Sequence, residues 1–282
     1  MVKFGGIESG GTKTVVAVGD ASGVDVEERF PTGDDPAAAM QRVADFLHAH
    51  GPLDAVGFGS FGPCDPNPRS RTYGHVTSTP KPGWANTDVV GMLRSRGIAA
   101  PLTFDTDVNA AALGEWRYGA GTGSEALLYL TIGTGIGGGA IFGGRVLHGA
   151  VHPEMGHQRI PGAPAEGVCP YHGNCWEGVG AGPGIAAREG RPAQDIPPDD
   201  DAWRRLAELV AMGLSNLVMA LSPDLIVLGG GVGIQPHLHD LVRPRLAEII
   251  AGYVPVPALV PPGLGNQAGI RGAFVLAEQA LD

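Results

Sequence analysis

The sequence predicts an α/β protein made of two related lobes. Apolar runs typical of strands alternate with segments of helical spacing along most of the 282 residues, which is the pattern of α/β domains. Residues 4–30 and 127–147 also share one plan of strand, glycine loop, strand, tight turn and strand. This repetition indicates an internal duplication. The alternative is two unrelated glycine-rich hairpins, because hairpin turns often contain glycine.

The composition limits the classes of function. Hydrophobic residues make up 43% and charged residues 17% of the chain, which is enough apolar content for real cores. The net charge of −10 argues against a nucleic-acid or anionic-membrane partner, since such binding needs clustered Lys and Arg. No apolar run reaches the roughly 18 residues of a membrane span, and no secretion signal is recognisable. Three cysteines argue against a disulfide framework, so we expect a cytoplasmic protein.

The first lobe is predicted from strand and helix patterns in the first 115 residues. Strands are expected over residues 4–7, 14–18, 24–30, 55–58 and 102–104. Helices are expected over residues 35–50, 89–96 and 109–116, where apolar residues recur at helical spacing. We predict that the first lobe comprises residues 1–115 and is completed by a last helix within residues 268–282.

The second lobe is predicted to comprise residues 116–267. Its strands are expected over residues 126–132, 139–142, 145–147 and 225–228. Helices are expected from residue 185, from residue 201 to about residue 220, and over residues 236–251. Residues 148–183 carry the histidines and cysteines and show no period, so this region is expected to be irregular.

Two glycine loops are predicted to bind phosphate. Backbone N–H groups without side chains in the way can surround an anion, and the loops occupy equivalent places in the two copies. The expected contacts are Gly10, Gly11, Thr12, Lys13, Gly133, Thr134 and Gly135. In a third run after a buried strand, Gly230 and Gly231 would let a flat adenine–ribose group approach. The alternative for that run is a plain turn at the start of a helix.

Two acids, Asp105 and Asp107, stand between a strand and a helix. A carboxylate within hydrogen-bond reach can take the proton of a sugar hydroxyl, and its position matters more than an unusual pKa. On an extended segment both carboxylates would face the same side, and one of them could instead cap the helix. We predict Asp107 as the general base, because it lies nearest the helix start.

A histidine and cysteine cluster predicts a zinc site. Cys169, His172 and Cys175 have regular C-x2-H-x2-C spacing, and His157 lies a short loop upstream. Four nitrogen and sulfur ligands form a closed tetrahedral site, which is typical of structural zinc. The alternative is two buried cysteines and two surface histidines, and the regular spacing disfavours it.

Together these motifs resemble the ROK family of sugar kinases and repressors, and within it the zinc-containing bacterial fructokinases. The similarity covers essentially the whole chain. Its motifs are G-I-E-S-G-G-T-K from Gly6, S-F-G-P from Ser60, T-P-K-P-G-W from Thr79, D-V-N-A-A-A-L-G-E from Asp107, T-I-G-T-G from Thr131, the His/Cys region and the glycines from Gly229.

The resemblance implies an actin-like (ribonuclease H-like) duplicated two-lobe fold with the active site in the interlobe cleft. It implies ATP, a hexose, Mg2+ on the phosphates, one structural Zn2+ per chain and a homodimer. The implied sugar contacts are Gly62, Pro63, Thr106, Asp107, Glu154, His157 and Glu177, and Gly182 and Pro183 join the nucleotide contacts. His157 would contact both zinc and sugar, so that the metal orders the substrate site.

Three residues depart from the family pattern. Glu8 stands where the family usually has Asp, and Thr106 replaces the usual Asn before the base. His172 replaces one of three cysteines, as in fructokinase-like members. The longer side chain of Glu8 leaves its role near the metal open.

The leading hypothesis is an ATP-dependent fructokinase that makes fructose 6-phosphate. A glucokinase or a broader hexose or amino-sugar kinase is the alternative, since these sugars share many hydroxyls. A sugar-responsive repressor of the same family would need an N-terminal helix-turn-helix, and the early first strand and acidic charge argue against it. A non-catalytic sugar sensor is disfavoured by Asp107 and the two glycine loops.

Overall fold

A computed structural model describes residues 2–282, and the chain divides into two compact units. Unit 1 extends to Thr122 and also contains Val146–Pro153 and Asn266–Asp282. Unit 2 contains Gly123–Arg145 and Glu154–Gly265. The expected division after residue 115 falls inside a helix that continues to residue 118, so the observed division comes later in the chain.

Unit 1 is built on a five-stranded sheet. Its strands are β1 (Phe4–Ser9), β2 (Lys13–Gly19), β3 (Val24–Pro31), β4 (Ala55–Ser60), the short pair β5 (His75–Val76) and β6 (Thr87–Asp88), and β7 (Leu102–Thr106). Its helices are α1 (Pro36–Ala49), α2 (Val89–Ser95), α3 (Asp107–Tyr118) and the last helix of the chain, α9 (Ala268–Gln279). The sheet order is β3-β2-β1-β4-β7, and β5 pairs with β6 separately.

Unit 2 is built on a second five-stranded sheet. Its strands are β8 (Ala126–Ile132), β9 (Ile136–Phe142), β10 (Arg145–Val146), β11 (Leu225–Gly229) and β12 (Ala258–Val260), in the order β10-β9-β8-β11-β12. Its helices are α4 (Trp176–Gly180), α5 (Gly182–Glu189), α6 (Asp201–Leu221), α7 (Gly230–Gly233) and α8 (Pro236–Ile250). No helix among the described residues combines the length and apolar character that a bilayer span requires.

The two sheets have the same topology, which confirms the predicted duplication. In unit 1, β1 pairs antiparallel with β2 and parallel with β4, and β4 pairs parallel with β7. In unit 2, β8 pairs antiparallel with β9 and parallel with β11, and β11 pairs parallel with β12. The repeat therefore extends beyond the two glycine hairpins to the later parallel strands.

Close packing of α3 against α9 fixes the helix that carries Asp107. A side chain at Gly272 would overlap the carbonyl of Ala110, and one at Gly114 would overlap the carbonyl of Ala268. The two helices can approach this closely only because glycine stands at both crossings. Asp107 begins α3 directly after β7 and is held by this packing.

The predicted arrangement of the two acids is wrong. Asp105 lies in β7, whereas Asp107 is the first residue of α3, so the two carboxylates do not share one face of an extended segment. Neither acid caps the helix. Thr106 is the N-cap, and its Oγ1 accepts a 3.1 Å hydrogen bond from the N–H of Asn109.

Other differences concern short elements. The region of residues 148–183 is not wholly irregular, because it contains a 3-10 turn (Met155–His157), α4 and the start of α5. Strands β5, β6 and β12 were not predicted, since two or three residues show no period. The plain-turn alternative for the third glycine run is correct in part: α7 begins at Gly230.

Candidate active site and metal cluster

Asp105 and Asp107, which flank the start of α3, differ in their hydrogen bonds and in their burial. The Oδ1 atom of Asp105 accepts 2.7 Å hydrogen bonds from the N–H of Thr106 and from the Asn109 side chain. Its Oδ2 lies 2.9 Å from Nε2 of His148. Asp105 is buried and Asp107 is only partly buried. Both Asp105 oxygens are thus occupied within unit 1, which favours Asp107 as the acid that meets a substrate.

The predicted sugar contacts Gly62 and Pro63 form a turn directly after β4. The N–H of Phe61 donates a 2.6 Å hydrogen bond to the carbonyl of Ser9, at the end of β1. The carbonyl of Pro63 accepts hydrogen bonds from the N–H and the hydroxyl of Thr77, at 2.7 and 3.0 Å. These bonds hold the turn near the carboxyl ends of the parallel strands, where ligands bind in open α/β sheets.

The first glycine loop connects β1 and β2. The N–H of Gly10 donates a 2.9 Å hydrogen bond to the carbonyl of Lys13, and the three residues from Gly11 to Lys13 are exposed. Glu8 lies just before this loop. Its Oε2 atom is shielded from solvent and has no hydrogen-bond partner among the described residues. Burial raises the pKa of the Glu8 carboxyl, and the charge of Lys13 opposes that rise.

The second glycine loop connects β8 and β9 and is tied to α5. The N–H of Gly133 donates a 2.9 Å hydrogen bond to the carbonyl of Gly135. The N–H of Gly182, the first residue of α5, donates a 2.7 Å bond to the carbonyl of Gly133. The start of α5 therefore lies against the loop, where its positive dipole end favours an anion.

A cavity of about 600 Å3 opens within unit 2. Five expected nucleotide contacts line it: Gly133, Thr134, Gly182, Pro183 and Gly231. Seven lining residues were not predicted as contacts: Ala186, Pro192, Ala193, Gln194, Trp203, Val232 and Gln235. None of these lining side chains is ionisable, so an anion in this cavity would depend on backbone N–H groups and bound cations.

The two central glycines of the third run have different roles. Gly230 has a φ of +82°, and a side chain there would overlap the carbonyl of Ile132. It is therefore required by the turn and is not among the residues that line the cavity. Gly231 lines the cavity, and a Cβ atom added there would meet nothing within 4 Å.

The four predicted zinc ligands lie together. The ligand atoms of His157, Cys169, His172 and Cys175 are all within 4.8 Å of one another. Nδ1 of His157 is 3.3 Å from Nδ1 of His172, 3.6 Å from Sγ of Cys169 and 3.5 Å from Sγ of Cys175. The alternative of two buried cysteines and two surface histidines is correct in part, because both cysteines are buried and His172 is exposed, but it does not account for the convergence of the four ligand atoms.

The spacing of this cluster fits a tetrahedral zinc ion. Zinc bonds of about 2.3 Å to sulfur and about 2.0 Å to nitrogen, at tetrahedral angles, require separations of about 3.3 Å between nitrogens and about 3.5 Å between nitrogen and sulfur. The three separations from His157 match these values, and the separation from Sγ of Cys169 to Nδ1 of His172 is longer, at 3.8 Å. Burial raises the pKa of the Cys175 thiol to about 11, so a cation must displace that proton when it binds.

The predicted sugar ligands of unit 2 are Glu154, Glu177 and His157, and His157 is also a member of the His/Cys cluster. Nε2 of His157 lies 3.8 Å from Oε1 of Glu177. Oε2 of Glu177 accepts a 3.0 Å hydrogen bond from the N–H of Ile136, which follows the second glycine loop. Desolvation raises the pKa of the Glu154 carboxyl, and the charge of Glu177 raises it further. Sequence reasoning missed the bond from Glu177 to the loop, because residues 136 and 177 are joined only by the fold.

The comparison with known families agrees with this geometry. The sequence model of the family described as "ROK family" matches residues 4–280 of the chain. The chain belongs to the ROK family. The predicted resemblance is confirmed, and with it the duplicated α/β fold shared by ROK sugar kinases.

Relatives of the chain include two fructokinases. It is 43% identical over 287 residues to the fructokinase of Pediococcus pentosaceus, covering 99% of this chain and 98% of the relative. It is 40% identical to the fructokinase of Lactococcus lactis subsp. cremoris, covering 98% and 97%. Among solved structures, a ROK hexokinase from Thermus thermophilus matches with a TM-score of 0.83, 29% identity and 99% coverage of both chains.

Proposed function

We propose that this ROK protein is an ATP-dependent fructokinase that converts fructose to fructose 6-phosphate. Its fructokinase relatives match it over nearly their whole lengths. The structural observation that supports the proposal is the cavity of unit 2, where Gly133, Gly182 and Gly231 meet although they lie far apart in sequence. Such a cavity, beside a glycine turn and a helix start, suits a nucleotide.

Nucleotide binding would use the cavity and both glycine loops. The flat base and ribose would contact Trp203, Val232 and Gly231, since these sides of the cavity are apolar or lack side chains. Phosphate oxygens would accept hydrogen bonds from backbone N–H groups of the loops. These residues act by binding and orientation, because phosphoryl transfer needs little covalent chemistry from the protein.

Sugar binding would use hydrogen-bonding side chains together with a backbone surface. Glu154, His157 and Glu177 would bind hydroxyl groups that do not react, and Gly62 and Pro63 would form a backbone surface for the ring. Thr106 would also contact the sugar, because it directly precedes the proposed base, Asp107. A site that satisfies several hydroxyls at once rejects sugars that leave one of its polar groups unpaired.

Asp107 would act as the general base in the transfer step. Its carboxylate takes the proton from the primary hydroxyl of the sugar while that oxygen forms a bond to the γ-phosphorus. The bond between the γ-phosphorus and the β–γ bridging oxygen breaks, and ADP leaves with the electron pair. Loop N–H groups stabilise the charge on the transferring group.

Two metal ions belong to the proposal. Mg2+ would bind the phosphate oxygens, and the shielded, unpartnered Oε2 of Glu8 at the end of β1 is the candidate protein ligand. Zn2+, one per chain, would bind His157, Cys169, His172 and Cys175. The zinc would have a structural role: it would hold the His157 ring through Nδ1 and keep Nε2 available to the sugar side.

A sugar-panel assay tests the proposed substrate. ATP-dependent release of ADP is measured with fructose, glucose, mannose and N-acetylated hexosamines, and kcat/KM is compared. We expect fructose to give the highest kcat/KM. A higher value with glucose would support the glucokinase alternative, and no activity with any sugar would contradict a kinase. We further propose that the protein is cytoplasmic and forms a homodimer. Light scattering tests the dimer, for which we expect a mass of twice 28.9 kDa.

A further inference from the structure

A polar cluster of four side chains lies at the start of α3. His148 Nε2 is 2.9 Å from Oδ2 of Asp105, and the Asn109 side chain donates a 2.7 Å hydrogen bond to Oδ1 of Asp105. The same Asn109 nitrogen is 3.3 Å from Nδ1 of His152. Both histidines come from the short segment Val146–Pro153, which belongs to unit 1. None of the four residues is among the expected site residues.

This cluster encloses the backbone that carries Asp107. The N–H of Thr106 donates to Oδ1 of Asp105 at 2.7 Å, and Oγ1 of Thr106 accepts the N–H of Asn109 at 3.1 Å. Asp107 therefore stands between two residues that are both bonded to one carboxylate. Any rotation of the Asp105 side chain would shift the first turn of α3 and redirect Asp107.

His148 holds that carboxylate in place. Asp105 is 5% exposed, and a buried carboxylate keeps its conformation only while its oxygens are paired. His148 pairs with the oxygen that Thr106 and Asn109 leave unused. The hydrogen bond to Asp105 raises the pKa of His148 above its ordinary value, which agrees with a charge-assisted contact.

We propose that His148, assisted by His152, is a positioning residue for phosphoryl transfer that orients Asp107 through Asp105 and Asn109. The proposal rests on the role of Asp107 as general base proposed above. A displaced base costs rate even when substrates still bind. Loss of the contact should therefore lower kcat about 10- to 100-fold and leave the fructose KM within about twofold, because orientation matters only in the transition state.

Three substitutions at His148 differ in whether the new side chain can reach Asp105 and donate a hydrogen bond to it. His148→Gln places an amide nitrogen near the position of Nε2, His148→Asn is too short, and His148→Leu cannot donate. We expect Leu and Asn to lower kcat and Gln to recover most of it. His48→Leu on α1 is the matched control, since its Nε2 donates a 2.8 Å bond to the carbonyl of Arg96 instead. Equal activity of the Asn and Gln variants would overturn the proposal, even if the Leu variant fails to fold.

Hydrogen exchange supplies a readout besides activity. The amide of Asn109 is bonded to Thr106 within this cluster, so peptides that cover residues 105–112 should exchange faster in the Asn variant and normally in the Gln variant. A general structural defect would instead raise exchange throughout unit 1. Unchanged exchange over residues 105–112 in the Asn variant would contradict the positioning role.

A double-mutant cycle separates this inference from the proposed function. If His148 acts through Asp107, then His148→Asn should lower kcat in the wild-type background and have little effect in the Asp107→Asn background. An equal loss in both backgrounds would overturn the positioning role and leave the base assignment intact. Near-normal turnover of Asp107→Asn alone would instead contradict the base assignment on which the inference depends.

Discussion

Oε2 of Glu177 accepts a 3.0 Å hydrogen bond from the backbone N–H of Ile136, the residue that follows the Gly133–Gly135 turn. Its other oxygen, Oε1, lies 3.8 Å from Nε2 of His157, whose Nδ1 faces the cysteine ligands. A single carboxylate thus contacts both the glycine loop and the His/Cys cluster. Sequence neighbours add to this connection, because Cys175 precedes α4 and Glu177 lies in its first turn.

Glu177→Ala should weaken nucleotide binding as well as sugar binding. Loss of a charged acceptor for the Ile136 N–H costs about 1.5–3 kcal/mol, so we expect the ATP KM to rise about tenfold or more. Glu177→Gln keeps an oxygen that can accept this bond and should keep an ATP KM near that of the wild type, while its fructose KM rises. Steady-state kinetics measure both constants.

Glu208→Ala is the control for that experiment. Glu208 lies on α6 and pairs with Arg245 at the surface, with side chains 45% and 40% exposed. We expect its kinetic constants to match the wild type, since exposed ion pairs contribute little. An unchanged ATP KM in Glu177→Ala would show that the contact with the glycine loop has no effect on nucleotide binding.

Substitution by valine should have different effects at the neighbouring glycines Gly230 and Gly231. Gly231→Val adds a side chain where nothing lies within 4 Å, so the protein should fold while the ATP KM rises at least tenfold. Gly230→Val must adopt a φ of +82° and overlap the Ile132 carbonyl, so it should lower the Tm. Thermal unfolding and nucleotide titration followed by tryptophan fluorescence, to which Trp203 in the cavity contributes, measure the two effects. Normal ATP affinity in a folded Gly231→Val protein would contradict nucleotide binding in this cavity.

Metal analysis should find about one zinc ion per chain. Cys169→Ser and Cys175→Ser each remove a thiolate ligand, so we expect loss of zinc and a higher fructose KM. Cys64→Ser is the matched control, because Cys64 is buried in the core of unit 1 and lies outside the cluster. A purified protein without zinc but with full activity would contradict the ordering role of the metal.

Glu8→Gln should stabilise the protein at alkaline pH and lower its turnover. Burial raises the folded-state pKa of Glu8. The folded state therefore loses stability as the pH rises from the unfolded-state pKa through the raised folded-state pKa. The amide avoids this loss, so we expect a Tm gain of a few degrees at pH 8 and almost none near pH 4. If the wild type and Glu8→Gln had equal Tm values at pH 8, then ionisation of Glu8 would not destabilise the folded state.

Much of this site could be predicted because its residues are close in sequence. The C-x2-H-x2-C spacing brings Cys169, His172 and Cys175 together within one loop, and His157 joined them as predicted. Both glycine hairpins could also be recognised, since each lies in a local pattern of strand, loop and strand. The correct strand order of both sheets required the fold, because parallel neighbours such as β4 and β7 are far apart in sequence.

Site contacts that leave no pattern in the neighbouring sequence could not be predicted. Trp203 belongs to the buried face of α6 by its helical spacing, yet it also lines the cavity. The contacts of His148 and His152 with the start of α3 join positions about 40 residues apart. The arrangement of Asp105 and Asp107 depends on where α3 begins, and it begins at Asp107, two residues before the expected Asn109. Such an end cannot be read from apolar periodicity alone.

The turnover of Asp107→Asn with saturating ATP and fructose tests the central claim most directly. Asparagine keeps the size of the side chain at the start of α3 but cannot take the proton. We predict a kcat lower by about two to four powers of ten, with fructose affinity and Tm close to those of the wild type. A kcat near the wild-type value in the folded variant would contradict the assignment of Asp107 as the base.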